Sequence, residues 1–278
     1  MTSDQDDRHE MVAAIRRIHE RVRDAVVQES ERVAIEELAQ VTDDESEGDT
    51  IYAIDRISEE LIVELFENEV ANKRPLVLIA EGISGGRVTL PRGSSESDAA
   101  WQIVVDPIDG TRDFVRRTPF WSVLMALEAG GEIVLGIMYF PCLKETLHAS
   151  LGSGCFHNGT RVTASKINRI DKAILMISGF KSAWEAWTPE TVQLLTQQCW
   201  TVRAYCGCYD IAMLARGKAD IWLSGSGMEW DYAPARIVAR ECGAAFLTRD
   251  GGDRIDAGHC LICVPGLEQE LRRTLKIP

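Results

Sequence analysis

The residues best suited to chemistry stand in "WQIVVDPIDGTRDF", Trp101 to Phe114. An apolar run ends in Asp106 and Asp109, with a glycine and a threonine directly behind them. Asp-Pro-x-Asp-Gly is also good turn chemistry, because proline fixes φ, aspartate bonds nearby backbone and glycine tolerates positive φ. Two features point beyond a turn. "WQIVV" is apolar enough to be a buried strand, and ligands collect at the carboxyl ends of such strands. Other carboxylates also end apolar runs or open helices: Glu81 after "LVLIA" and Asp231 after "MEW".

Hard divalent cations such as Mg²⁺ take carboxylate and carbonyl oxygens and often bridge protein to phosphate. Carboxylates converging from several segments could hold more than one ion, and two ions together activate water for in-line displacement. The Gly110-Thr111 backbone would offer N–H groups to a phosphate if a helix begins there. Overall charge gives a bound cation a purpose. The formal net charge is −13, which disfavours nucleic-acid polymers and anionic membranes as partners. A cationic pocket would let such a protein hold an anionic metabolite.

The elements that must position these residues follow from periodicity. Met11, Ile15, Ile18, Val22, Val26 and Val33 repeat at helical spacing and predict an amphipathic helix over 10–38. A second helix is expected through Ile57, Leu61, Leu65 and Phe66, with Asp55 as its cap. "PLVLIAEG" reads as a strand, 87–100 as a loop or hairpin tip, and 121–162 as a meander turning at Gly130-Gly131 and in 152–159. From "AILMIS" onward strands alternate with helices. With 278 residues, a single catalytic domain over 1–278 is expected. Its N-terminal half, 1–175, would hold long helices and an antiparallel sheet, and its C-terminal half, 176–278, would be α/β.

The eight cysteines read as reduced structural thiols, since Cys206-Gly-Cys208 and Cys260-Leu-Ile-Cys263 have no histidine at zinc-finger spacing. The five histidines form no cluster. The acidic, polar N-terminus is not a secretory signal, no apolar run reaches membrane-spanning length, and a cytoplasmic location is expected. The haloacid-dehalogenase phosphatases also carry Asp-Gly-Thr, but in an Asp-x-Asp frame. This chain has one residue too many between the acids, with Pro107 in the gap.

"DPIDGTRDF" resembles the first signature of the inositol monophosphatase-like, metal-dependent phosphatases. "EWDYAPARIVARECGA" resembles their second, while "GSGCFHNGTRV" and "ARGKAD" match supporting turns between the two. The resemblance implies an α+β, layered αβαβα sandwich of the inositol monophosphatase/fructose-1,6-bisphosphatase type, usually a homodimer, with two or three Mg²⁺ ions. By motif match, Glu81, Asp106 and the Ile108 carbonyl would hold one ion. Asp106, Asp109 and Asp231 would hold another, with a weaker third near Glu81. Thr111 paired to Asp55 would orient the attacking water, making Thr111, Asp55 and Glu81 the catalytic set.

The same resemblance places Gly110, Thr111, Cys208, Tyr209 and Ser224 toward substrate. Gly82 stands where the family carries a second acid, and Ser224 where inositol-specific members carry a glutamate that grips hydroxyls; Glu229 aligns with no known role. Losing that acceptor should relax discrimination among polyols. The expected activity is hydrolysis of a small phosphorylated metabolite, such as inositol monophosphate or a similar polyol or sugar phosphate. "CYDIAMLARGKAD" is closer to histidinol-phosphatase-type members, and 3′-phosphoadenosine 5′-phosphate phosphatases share the Trp-Asp signature. A non-catalytic metal-dependent phosphometabolite-binding protein is the reading from another class.

Overall fold

The computed structural model describes residues 3–32, 41–43, 51–205 and 207–278, and side chains at 10–28, 60–205 and 207–278. The chain forms two compact units, Met1–Lys144 and Glu145–Pro278.

In the first unit, α1 spans Ser3–Arg32. Ile15, Ile18, Val22 and Val26 of its apolar stripe are buried, while Val33 lies outside the described residues. A short pair, β1 (Val41–Asp43) and β2 (Ile51–Tyr52), is antiparallel. It leads into α2, Ala53–Phe66. This helix starts before Asp55, so Asp55 sits inside its first turn and is not the expected cap. Strands β3 (Leu76–Ala80), β4 (Arg87–Leu90) and β5 (Trp101–Asp109) follow. Then come the single-turn helix α3 (Thr111–Val115) and strands β6 (Ser122–Ala129) and β7 (Glu132–Phe140).

These strands lie in the order β7-β6-β5-β3-β4. Residues 87–90 of the expected loop or hairpin tip thus form a strand paired to β3. β3 and β5 are parallel neighbours inside otherwise antiparallel pairing. Both read as continuous apolar runs because both faces are covered, and every residue of β3 is buried.

In the second unit, β8 (Glu145–Ser150), β9 (Gly154–His157) and β10 (Thr160–Val162) form the end of the meander. Asn158 and Gly159 have positive φ between paired His157 and Thr160, the conformation a two-residue type I′ hairpin needs. The chain continues through β11 (Ile174–Ser178), α4 (Phe180–Trp187), α5 (Pro189–Gln198) and β12 (Thr201–Arg203). It then runs through α6 (Gly207–Ala215), β13 (Ile221–Ser224) and α7 (Glu229–Cys242). Last are β14 (Ala245–Leu247), β15 (Cys260–Cys263) and α8 (Pro265–Leu275).

The second sheet has the order β12-β11-β13-β15-β14. Its first three strands are parallel and its last two pairings antiparallel. α4 is an element that sequence periodicity does not announce: "FKSAWEAW" packs Ala183 and Trp187 inward while leaving Phe180 and Trp184 exposed. Cys155, Cys199, Cys208, Cys242, Cys260 and Cys263 are buried free thiols and Cys142 an exposed one. Burial pushes the Cys199, Cys242 and Cys263 thiols up to about 12, which makes them inert. Cys206 lies outside the described residues.

His19 on the buried stripe of α1 donates from Nε2 to the Val123 carbonyl on β6 at 3.2 Å. Its ring also meets Tyr139 edge-on, and Arg23 lies over that tyrosine. Burial lowers the His19 pKa from 6.5 to about 4. As pH falls, the unfolded chain therefore takes up this proton first. The stability tied to neutral His19 is complete above pH 6.5 and is lost toward pH 4, about 3 kcal/mol in all. Urea midpoints at pH 7 and pH 4.5 should fall further for the parent chain than for His19→Gln. Equal falls would refute a role for this imidazole.

Candidate metal centre

β3 and β5 run side by side with Ala80 paired to Val105. One residue further, the Glu81 N–H still donates to the Val105 carbonyl at 3.3 Å. Glu81 and Asp106 therefore leave the sheet at the same level, at the carboxyl ends of adjacent parallel strands, where α/β proteins gather ligands.

Asp106 and Asp109 are three residues apart, which in a regular strand would put them on opposite faces. Here Asp106 lies opposite Leu124 and Asp109 opposite Ser122. Three steps on β5 thus match two on β6, a β-bulge at Pro107-Ile108. Leu124 and Ser122 share one face of β6, so the two aspartates share one face of β5. Proline is tolerated in this central strand because it sits in the bulge, where no ladder bond is required of it. The next N–H, of Ile108, donates to Asp106 Oδ1 at 2.8 Å. The chain's own carboxylate thus closes the turn.

Gly110 takes the left-handed conformation (φ 83°, ψ 41°) and caps α3. Its carbonyl accepts from the Asp113 and Phe114 N–H groups at 2.8 and 2.9 Å. Phe114 meets Trp121 edge-to-face at 4.9 Å between ring centres, anchoring the far side of the turn to the head of β6. The Thr111 hydroxyl donates to the Ile108 carbonyl at 3.0 Å. Ser122 Oγ donates to Asp109 Oδ2 at 2.6 Å. The Asp55 side chain lies outside the described residues, and with it the expected Thr111–Asp55 pair.

Glu81, Asp106 and Asp109 are 6%, 2% and 7% exposed. A carboxylate oxygen of Asp106 and one of Asp109 lie within 4.8 Å of each other. Asp106 and Asp109, with the Ile108 carbonyl between them in sequence, supply oxygen donors of the kind hard divalent cations take. The arrangement could bind a metal ion.

In the second unit, Ser178 and Ser224 end paired parallel strands β11 and β13. Ser224 is buried, and its hydroxyl bonds Tyr232 Oη at 3.0 Å and the Ser226 carbonyl at 3.2 Å. Burial pushes the Tyr232 phenol up. Asp231 opens α7, and its Oδ2 accepts the Met228 N–H at 2.7 Å. Cys208 is buried with its thiol toward the Asp231 carbonyl at 3.7 Å. Tyr209 is partly buried, which raises its pKa, and it meets Tyr205 edge-on.

Sequence reasoning missed Asp210, which is fully buried. It accepts from Ser178 Oγ at 3.0 Å and from the Tyr205 N–H at 3.1 Å. Trp222 Nε1 donates in turn to Ser178 Oγ at 2.5 Å. An acid in the first turn of the apolar helix "CYDIAMLA" was the available signal, because such a charge survives burial only when bonded.

The chain matches the inositol monophosphatase family over residues 7–276. It belongs to that family. A histidinol-phosphatase of Chlorobaculum parvum is 30% identical over 159 residues, which are 57% of this chain and 61% of that protein. The match thus spans only about three fifths of that relative's length. An inositol-1-monophosphatase of Mesorhizobium japonicum is 28% identical over 237 residues, covering 83% of this chain and 84% of that one. Among solved structures, inositol monophosphatase II of Staphylococcus aureus superposes with a TM-score of 0.79 at 18% identity, over 95% of this chain and 92% of that one. The fold is accordingly α+β, with mixed sheets flanked by helices in the layered arrangement of the inositol monophosphatase type. Among the described residues no helix is long and apolar enough to cross a membrane.

Gly82, where the family's second acid was expected, has φ 89°. A side chain there would be strained, so the backbone itself disfavours an acid at this position. Restoring it by Gly82→Glu should cost about 1 kcal/mol of stability, measured by denaturant unfolding in EDTA. An unchanged midpoint would show that the turn relaxes without strain.

Proposed function

We propose that this chain is a Mg²⁺-dependent phosphomonoesterase acting on a small phosphorylated polyol, sugar or related metabolite. The observation that carries this reading is the bulged end of β5, which turns two buried aspartates to one face beside Glu81. Asp106, Asp109, Glu81 and the Ile108 carbonyl would hold the ions, with Asp231 of the second unit completing the set by motif match. Bound Mg²⁺, in two or three ions, would supply positive charge to the phosphate oxygens and activate water for in-line attack.

The protein's own groups do the positioning. Thr111, with Asp55, would orient the water, and the Gly110-Thr111 amides would face the transferring phosphoryl group. Cys208, Tyr209 and Ser224 would shape the alcohol end, where a serine in place of a carboxylate favours breadth over selectivity. Histidinol phosphate is the second substrate reading, favoured by Cys208-Tyr209. The single catalytic domain remains part of the proposal, as does a cytoplasmic location, which suits the free thiols.

The homodimer expected from the resemblance would use the second unit's β12 edge. Trp200 is 68% exposed there, beside a cavity of about 370 Å³ lined by Met176, Trp200, Arg203, Tyr205 and Met213. A Trp200→Glu variant should run as a monomer in size-exclusion light scattering where the parent runs as a dimer. A dimer retained by the variant would move the interface elsewhere.

Activity is tested by phosphate release from inositol phosphates, fructose 1,6-bisphosphate, histidinol phosphate, 3′-phosphoadenosine 5′-phosphate and glycerol 2-phosphate, each with Mg²⁺ and with EDTA. Turnover that vanishes with EDTA, and that Asp106→Asn reduces to background in a folded protein, is the expected result. Metal-dependent ligand binding without phosphate release would instead support the non-catalytic reading.

A further inference from the structure

We infer that Ser122 is a positioning residue of the metal centre, an inference that rests on the metal-dependent reading above. Ser122 heads β6, whose next five residues, Val123 to Leu127, are apolar and buried. Its own exposure is 0%. Alanine would fill that space without bringing a hydroxyl that must be hydrogen-bonded once buried. The hydroxyl donates to Asp109 Oδ2 at 2.6 Å, and the bulge is what sets Ser122 opposite Asp109.

A donor on one carboxylate oxygen holds the group in one rotation about its Cβ–Cγ bond. Asp109 is then aimed before an ion arrives, and the entropy of ordering it is spent during folding instead of on binding. Groups that orient metal ligands in this way typically change affinity by about 10–100-fold when removed. Ser122 touches neither water nor phosphate in this scheme. It acts only through Asp109, so its loss should weaken metal binding more than it slows turnover once metal is saturating.

The test uses Mn²⁺ as the probe, its binding to the full chain followed by the free-ion paramagnetic resonance signal without substrate. Ser122→Ala should bind Mn²⁺ about 10-fold more weakly. The Mg²⁺ concentration for half-maximal phosphate release should rise by a similar factor, with little change in kcat at saturating Mg²⁺. Ser122→Thr keeps the hydroxyl and should restore binding. Ser122→Cys offers only a weak S–H donor in nearly the same volume, so it should be weakened too and serves if the alanine variant does not fold. A parent chain that binds no Mn²⁺ would overturn the metal-centre reading and this inference together. Parent binding matched by Ser122→Ala would overturn the role of Ser122 alone. Equal weakening in the alanine and threonine variants would also overturn it, by showing a packing effect.

Discussion

The site depends on one displaced residue. Without the bulge at Pro107-Ile108, the pleat of β5 would send Asp106 and Asp109 to opposite faces of the sheet. Proline contributes by withholding a donor: the ladder is interrupted where Pro107 has no N–H, and the Ile108 N–H turns to Asp106 Oδ1. The same side chain thus closes its own turn and becomes available at the strand end. Gly110 then reverses the chain into α3 in the left-handed conformation. Apart from the pairing with β6 that defines the bulge, each step is local, so one short stretch can build most of a donor set.

The second unit solves a different problem, because β11 ends in a half-buried serine and β13 in a buried one. Ser178, Asp210, Trp222 and the Tyr205 N–H form one bonded chain, and Ser224, Tyr232 and the Ser226 carbonyl another. Buried polar groups are stabilising only when satisfied, and partly satisfied networks are costly. Ser224 therefore serves the packing of β13 against α7 whatever it does for a ligand, and the same is true of Cys208 beside Asp231.

Legibility in the sequence followed the range of the interaction. The buried run into Asp106, the turn within 152–159 and the apolar stripe of α1 were readable because period and turn chemistry are local. The family was readable because its signatures are contiguous. The bulge was not, since register depends on β6 as well as β5; nor was Asp210, whose partners come from β11 and the segment before α6. β4 falls in a stretch that reads as a loop or hairpin tip, because its residues are mostly half-exposed and carry weak alternation. α4 was missed because its inward face carries just Ala183 and Trp187, too little for a periodic signal. The start of α2 was placed late because Asp55 looked like a cap, and helix ends are the least determined part of any pattern.

The electrostatics of the bulge explain why a protein of net charge −13 would still gather anionic groups out of water. Two carboxylates within 4.8 Å repel by about 3 kcal/mol at an effective dielectric of 20, before any cost of burial. Peptide dipoles offset part of this, through the Ile108 N–H on Asp106, and the Ser122 hydroxyl offsets another part on Asp109. A neutral donor redistributes charge but cannot cancel it. A divalent cation would, its two positive charges matching the two carboxylates. Repulsion stored by folding would then be released on ion binding, and the bound ion would offer phosphate oxygens a cationic partner that the carboxylates alone do not.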